Sequence, residues 1–141
     1  MKIVTFSSLF PNKVKPNHGI FVETRLRNLV DSGEIESRVV APVPWFPFSG
    51  SRFGNYADFA RVPRWENRFG LSVAHPRFPL IPKIGMNWSP MLMAAAAKRT
   101  LARMIDEGYD FDLIDAHYFY PDGVAAVRLG QYFNKPVVIT A

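Results

Sequence analysis

Three histidines, a glycine and one aspartate are the residues of this 141-residue chain whose types and placement could do chemistry. His117 closes the run Leu113-Ile114-Asp115-Ala116-His117, which reads as a buried strand delivering an imidazole to its C-terminal end. In parallel sheets that end is where ligands sit. An imidazole there can act as a general base, or hydrogen-bond a phosphate or a sugar hydroxyl, because it titrates near neutrality. Asp115, two residues earlier, faces the same side of the strand and could orient it. His75 ends a second such run, and His18 with Gly19 lies in the loop after the first strand. Each has a structural alternative: a histidine hydrogen-bonded at the edge of the core, or a glycine that merely permits a turn. Asp122 reads as the N-cap of the following helix rather than as an acid.

Several chemistries lack their residues. The histidines show no H-x-x-x-H or H-E-x-x-H spacing and the chain has no cysteine, so no metal site is expected. G-x-S-x-G, G-x-G-x-x-G and G-x-x-x-x-G-K-[ST] are all absent, which argues against an α/β-hydrolase, a dinucleotide fingerprint and a P-loop. The Gly19 turn still suits an anionic ligand, because the free N–H groups and dipole of a helix N-terminus point there.

The elements that must position these residues follow an alternating pattern. Lys2 to Phe6 predicts strand 1, and Ser7 to Gly19 a loop rich in Pro, Asn and Gly. Ile20 to Ser32 predicts a helix with Val22, Leu26, Leu29 and Val30 inward, Gly33 as its cap, and Glu23 paired with Arg27 on the exposed face. Glu36 to Ala41 is strand 2, completing a βαβ unit. Pro42 to Asn67 reads as irregular, and Leu71 to His75 as strand 3. Ser89 and Pro90 signal the start of a helix that ends at Gly108. Strand 4 carries His117. A helix from about Gly123 to Phe133 follows, with Ala125, Leu129, Tyr132 and Phe133 as core, and Val137 to Thr140 is strand 5.

Composition is that of one globular domain: 48% hydrophobic and 21% charged. The net charge of +5 favours anionic partners without choosing among phosphates, nucleotides, nucleic acid and anionic membranes. No nucleic-acid motif is present, and no apolar run reaches the ~18 residues of a membrane span. The aromatic run Trp45–Phe48 and the arginines from Arg61 to Arg77 could form a surface for a membrane or an acceptor, or pack as a Pro-rich loop beneath solvated charges. The N-terminus lacks a signal-peptide pattern, so a cytoplasmic protein, at most peripheral at the inner face of a membrane, is expected.

MKIVTFSSLFP, PNHGIFVETRLRNL, DFDLIDAHYFYPDGVAAVRLG and KPVVITA, in this order, resemble the N-terminal half of a retaining family 4 glycosyltransferase with the GT-B fold. The resemblance implies an acceptor-side Rossmann-like domain facing a donor-binding domain across a cleft. It places Gly19 near the donor phosphates, makes Glu23 the acidic residue that follows the glycine loop, and makes His117 the second histidine of an H-x-H pattern beside the reacting sugar. Two positions depart from the pattern: Asp115 stands for the first histidine, and His18 for a second glycine. The implied partners are a nucleotide-sugar donor and a sugar or lipid-linked acceptor, with no metal and no other cofactor.

The expected fold is therefore α/β, a Rossmann-like parallel sheet of about five strands in the order 3-2-1-4-5, flanked by helices. His117 is the expected catalytic residue, and His18, Gly19, Glu23, Asp115 and His75 the expected substrate contacts. The donor domain is expected on a continuation of this chain or on another polypeptide, and this part alone is expected to be inactive. The alternatives are a non-catalytic α/β binding domain or truncated gene product that pairs with a separate donor domain, and a dehydrogenase, which the absent glycine fingerprint disfavours.

Overall fold

The computed structural model describes residues 1–45, 61–79 and 85–140. Strands β1 (Lys2–Phe6) and β2 (Glu36–Val40) run parallel with α1 (Ile20–Asp31) between them. Two short strands, β3 (Val43–Trp45) and β6 (Arg77–Pro79), pair with each other apart from the main sheet. Between them in sequence lie β4 (Trp65–Arg68) and β5 (Leu71–Ala74). Helix α2 (Gly85–Asp106), β7 (Leu113–His117), α3 (Val124–Phe133) and β8 (Val137–Thr140) complete the described chain.

The main sheet has the order β4-β5-β2-β1-β7-β8. Its five parallel strands are the expected ones in the expected 3-2-1-4-5 order, with β4 added antiparallel at one edge. The segment from Pro42 to Asn67 is thus not wholly irregular. β4 (WENR) has no β-branched residue, and its Glu66 and Arg68 are committed to polar contacts with His75 and Glu23, so beyond Trp65 it carries little of the usual strand signal. β3 and β6 each contain a proline, which an edge tolerates and a central strand does not. The aromatic run Trp45–Phe48 lies, beyond Trp45, outside the described residues.

Alternation along the central strands splits the core into two layers. Val4, Phe6, Ile114 and Ala116 face α2 and α3, packing on Met93, Ala97, Leu101, Met104 and Leu129. Ile3, Val39 and Val73 face α1, packing on Val22, Leu26 and Phe10. Thr5, Asp115 and His117 point to this second, α1 side, each a strand alternation away from an apolar residue; Thr5 and Asp115 are cross-strand partners. A polar strip is thereby laid under α1.

Three local expectations are corrected. Pro90 does not open α2 but is its sixth residue, so the helix has begun a turn before the Ser-Pro signal. Tyr132 is 61% exposed rather than core, with the Lys98 ammonium 3.7 Å from its ring centre. Glu23 is not on the exposed face of α1 and does not pair with Arg27; it is buried. Gly33 and Gly108 end their helices as expected, each with a left-handed backbone. Among the described residues no helix is long and apolar enough to cross a membrane.

Candidate functional site

The C-terminal rim of the parallel sheet carries Gly19 after β1, His75 directly after β5 and His117 at the end of β7. The β1–α1 loop is shaped by two short side chains. Ser7 Oγ accepts the Leu9 N–H, and Asn12 Oδ1 accepts the N–H groups of Val14 and Lys15. Gly19 then takes φ +69°, and a Cβ there would stand 2.4 Å from the Leu9 carbonyl oxygen. Only glycine fits, because both the left-handed backbone and the close approach exclude a side chain. The turn by itself already requires glycine at this position.

His117 is buried, and its neighbours explain how. The Arg25 guanidinium on α1 donates to His117 Nε2 at 3.3 Å and to Asp115 Oδ2 at 3.3 Å. Since arginine only donates, Nε2 is the acceptor and the ring proton sits on Nδ1. Asp115 Oδ2 lies 3.8 Å from the same ring nitrogen. Burial holds the His117 pKa below its ordinary value, with Asp115 pulling it up and Arg25 pushing it further down. The imidazole is therefore neutral at pH 7. Asp115 keeps one oxygen, Oδ1, buried and without a hydrogen-bond partner among the described residues.

Arg25 is the exposed member of this trio, 46% open to solvent against 8% for Asp115. It borders an open hollow of about 670 Å³ along α1, together with Ile20, Phe21 and Thr24. Phe21 in the first turn of α1 stands edge-on to Tyr118, 6.3 Å between ring centres, so the Gly19 turn and the end of β7 are neighbours. Tyr118 itself has φ +73°, a sparsely populated backbone for a bulky residue, immediately after His117. The chain then passes through a wide, irregular turn, Phe119–Gly123, in which Tyr120 is extended.

Asp122 does not cap α3. Its Oδ2 instead accepts the Ser8 N–H at 2.9 Å, tying this turn to the β1–α1 loop. Burial pushes the Asp122 carboxyl up, while the hydrogen bonds from Ser8 pull it down. Its other oxygen, like that of Asp115, is buried without a partner among the described residues. His18 is half-buried beside the Ser8 backbone, and burial lowers its pKa. Ser8 thus links Asp122 and His18 beside the Gly19 turn, and Arg25 links Asp115 and His117.

His75 and Glu23 fall elsewhere. His75 is 1% exposed, with Nδ1 donating to the Ala41 carbonyl at 3.0 Å and Nε2 2.7 Å from Glu66 Oε2, a hydrogen bond that requires a proton on either the ring nitrogen or the carboxyl. Burial nevertheless pushes its pKa down. Glu23 accepts Arg68 Nε at 2.6 Å and Nη2 at 3.4 Å, and Arg68 in turn lies 3.9 Å from Glu66. Glu66 also accepts the Lys13 N–H. Glu23, Arg68, Glu66 and His75 thus form a closed chain that clamps α1 and its preceding loop to the antiparallel edge. His75 lies three strands from His117, roughly 14 Å away. The structure joins His117 with Asp115 and His18 with Gly19, and sets His75 and Glu23 apart in a structural network. Among the described residues no group of three or more His, Cys, Asp or Glu side chains could hold a metal ion.

Sequence reasoning missed Arg25. The available signal was its place three residues after Val22 and one before Leu26, on the flank of the buried stripe.

No protein-family model matches the chain. The chain is 30% identical over 142 aligned residues to the protein described as "Putative teichuronic acid biosynthesis glycosyltransferase TuaC" of Bacillus subtilis (strain 168). The alignment takes in 99% of this chain and 36% of that relative, so the chain spans about a third of its length. Two crystal structures of the C-terminal domain of a hydrogenase from Pyrococcus furiosus superpose with TM-scores of 0.52 and 0.50. Each covers 99% of this chain and 90% of its own, at 13% identity, a likeness of fold alone.

Proposed function

We propose that this chain is the acceptor-side half of a retaining, nucleotide-sugar-dependent glycosyltransferase of family 4 with the GT-B fold, and that it is inactive alone. The observation that carries the reading is the Arg25–Asp115–His117 trio beside the Gly19 turn, at the rim where an α/β sheet binds ligands. Similarity to a glycosyltransferase along 99% of the chain supports it.

In this reading Arg25 is the group that answers an incoming ligand. A guanidinium that turns toward a donor phosphate gives up its bond to His117, and Nε2 becomes free to accept from a hydroxyl of the transferred sugar. Neutral His117 suits that role, since a protonated ring could not accept there. Asp115 holds Arg25 near the site between ligands, which gives a physical reason for an aspartate where the family pattern has histidine. His18 and the backbone around Gly19 line the phosphate side. Glu23 and His75 serve the scaffold rather than the substrate. The acceptor is a sugar or lipid-linked sugar, the donor is held chiefly by the C-terminal domain, and no protein nucleophile or metal is needed.

The reading is tested with the complete gene product that contains this sequence. Sugar transfer from a nucleotide sugar by the full reading frame, and none by residues 1–141 alone, is the expected result. Transfer by residues 1–141 alone would overturn the inactive-half reading. A reading frame without a donor domain, and with no transferase partner, would leave the non-catalytic binding domain as the better account.

A further inference from the structure

A second site lies on the other face of the sheet, outside the trio. Between the end of β5 and α2 is a hollow of about 230 Å³ bordered by Arg64, Trp65, Arg99, Thr100 and Arg103. A second hollow of about 270 Å³, which includes Arg38 and Glu107, continues past it, sharing Trp65 and Arg103. The Trp65 indole is 40% exposed where the two meet, with the Arg103 guanidinium 5.6 Å from its ring centre.

Among the described residues, positive charge here exceeds the carboxylates beside it. Arg103 is bonded to Glu107 at 2.8 Å, and Arg38 lies 3.5 Å from the same carboxylate. Arg77, just behind the hollow, spends its guanidinium on the carbonyls of His75 and Val62. Its pKa is lowered by burial and by the neighbouring Arg64 charge, which marks the crowding of like charges. Arg99 and Arg64 are exposed and have no carboxylate partner among the described residues. Two such guanidiniums at the mouth of one hollow present planar donor forks matched to an oxyanion. An exposed indole beside them offers a flat apolar face of the kind that covers the C–H face of a pyranose, and the Thr100 hydroxyl adds a donor and acceptor.

We propose that the Arg64–Trp65–Arg99–Arg103 hollow binds an acidic sugar: a pyranose ring carrying a phosphate or carboxylate, with the anionic group on Arg64 and Arg99 and the ring on Trp65. The ligand relieves the uncompensated charge, which is why a neutral sugar should not suffice. This site stands apart from His117 and does not depend on the glycosyltransferase reading.

The test follows the Trp65 indole N–H of the 141-residue chain by NMR while glucose 6-phosphate, glucuronate, glucose, inorganic phosphate or phosphatidylglycerol vesicles are added. Glucose 6-phosphate or glucuronate should shift that signal saturably, and less at high salt, with glucose and inorganic phosphate binding much more weakly. Which of the two acidic sugars binds tells phosphate from carboxylate. The double variant Arg64→Gln, Arg99→Gln should weaken binding about tenfold or more, since each lost charge-assisted contact is worth of the order of tenfold. Both positions are on the surface, so the variant should fold. Trp65→Ala, followed instead by the backbone N–H signals of Arg99 and Thr100, should weaken the acidic sugar and leave inorganic phosphate unchanged. Unchanged affinity in the double variant, glucose or phosphate binding as tightly as the acidic sugars, no saturable shift with either acid, or a response to vesicles alone would each overturn the proposal.

Discussion

His75 and His117 end parallel strands of one sheet, and each has a carboxylate within reach, yet they are in opposite conditions. Around His75 every ring nitrogen is bonded, and the acid it meets is itself bonded to Arg68 and to the β1–α1 loop. Around His117 the count does not close: Asp115 keeps an oxygen without a partner among the described residues, and the cation that satisfies the pair is half exposed. A histidine at a strand end is thus not a site by position. What separates a site from a clamp is hydrogen-bonding capacity left over for something else.

The sharpest way to break this contrast is to attack the clamp. Arg68→Ala leaves the buried Glu23 carboxylate uncompensated and should cost about 3–5 kcal/mol, read from urea denaturation. A loss under ~1 kcal/mol would mean the network is ornamental. His75→Ala removes a buried ring and strands the Ala41 carbonyl and Glu66, for about 2–4 kcal/mol by the same measurement. Gly19→Ala places a methyl group against Leu9 in a left-handed backbone, at about 2 kcal/mol or more.

The smallest effect distinguishes the two histidines by pH. Both have folded pKa values lowered from 6.5, so each contributes stability that is complete above pH 6.5 and lost as pH falls through the folded value. Arg25→Ala removes one of the charges that lowers His117, so its pKa should rise in an NMR titration and the acid loss of stability should shrink. His75 should titrate as before. An unmoved His117 would break the link to Arg25.

The parallel framework was readable because its strands are apolar runs whose order follows from right-handed βαβ connections. The edge strand Trp65–Arg68 was not, since its charged residues are selected by the Glu23 and His75 contacts and not by a buried face. The same contacts explain why Glu23, spaced for a surface pair with Arg27, is instead buried against a residue 45 positions away. Asp115 and His117 were legible as one face of one strand. Arg25 was not, because its partners are 90 and 92 residues distant. Period and spacing report local geometry, whereas the polar contacts that distinguish clamp from site are long-range.

The central claim, that His117 meets substrate and His75 holds the fold, is tested most directly by measuring kcat/KM and Tm of His117→Ala and His75→Ala in the complete gene product. The account predicts at least ~100-fold lower kcat/KM for His117→Ala, as expected for a lost positioned acid–base or hydrogen-bonding group, with a smaller fall in Tm than His75→Ala produces. His75→Ala should instead lower Tm clearly and leave kcat/KM of the folded fraction within a few-fold. Parent-level kcat/KM in His117→Ala would contradict it.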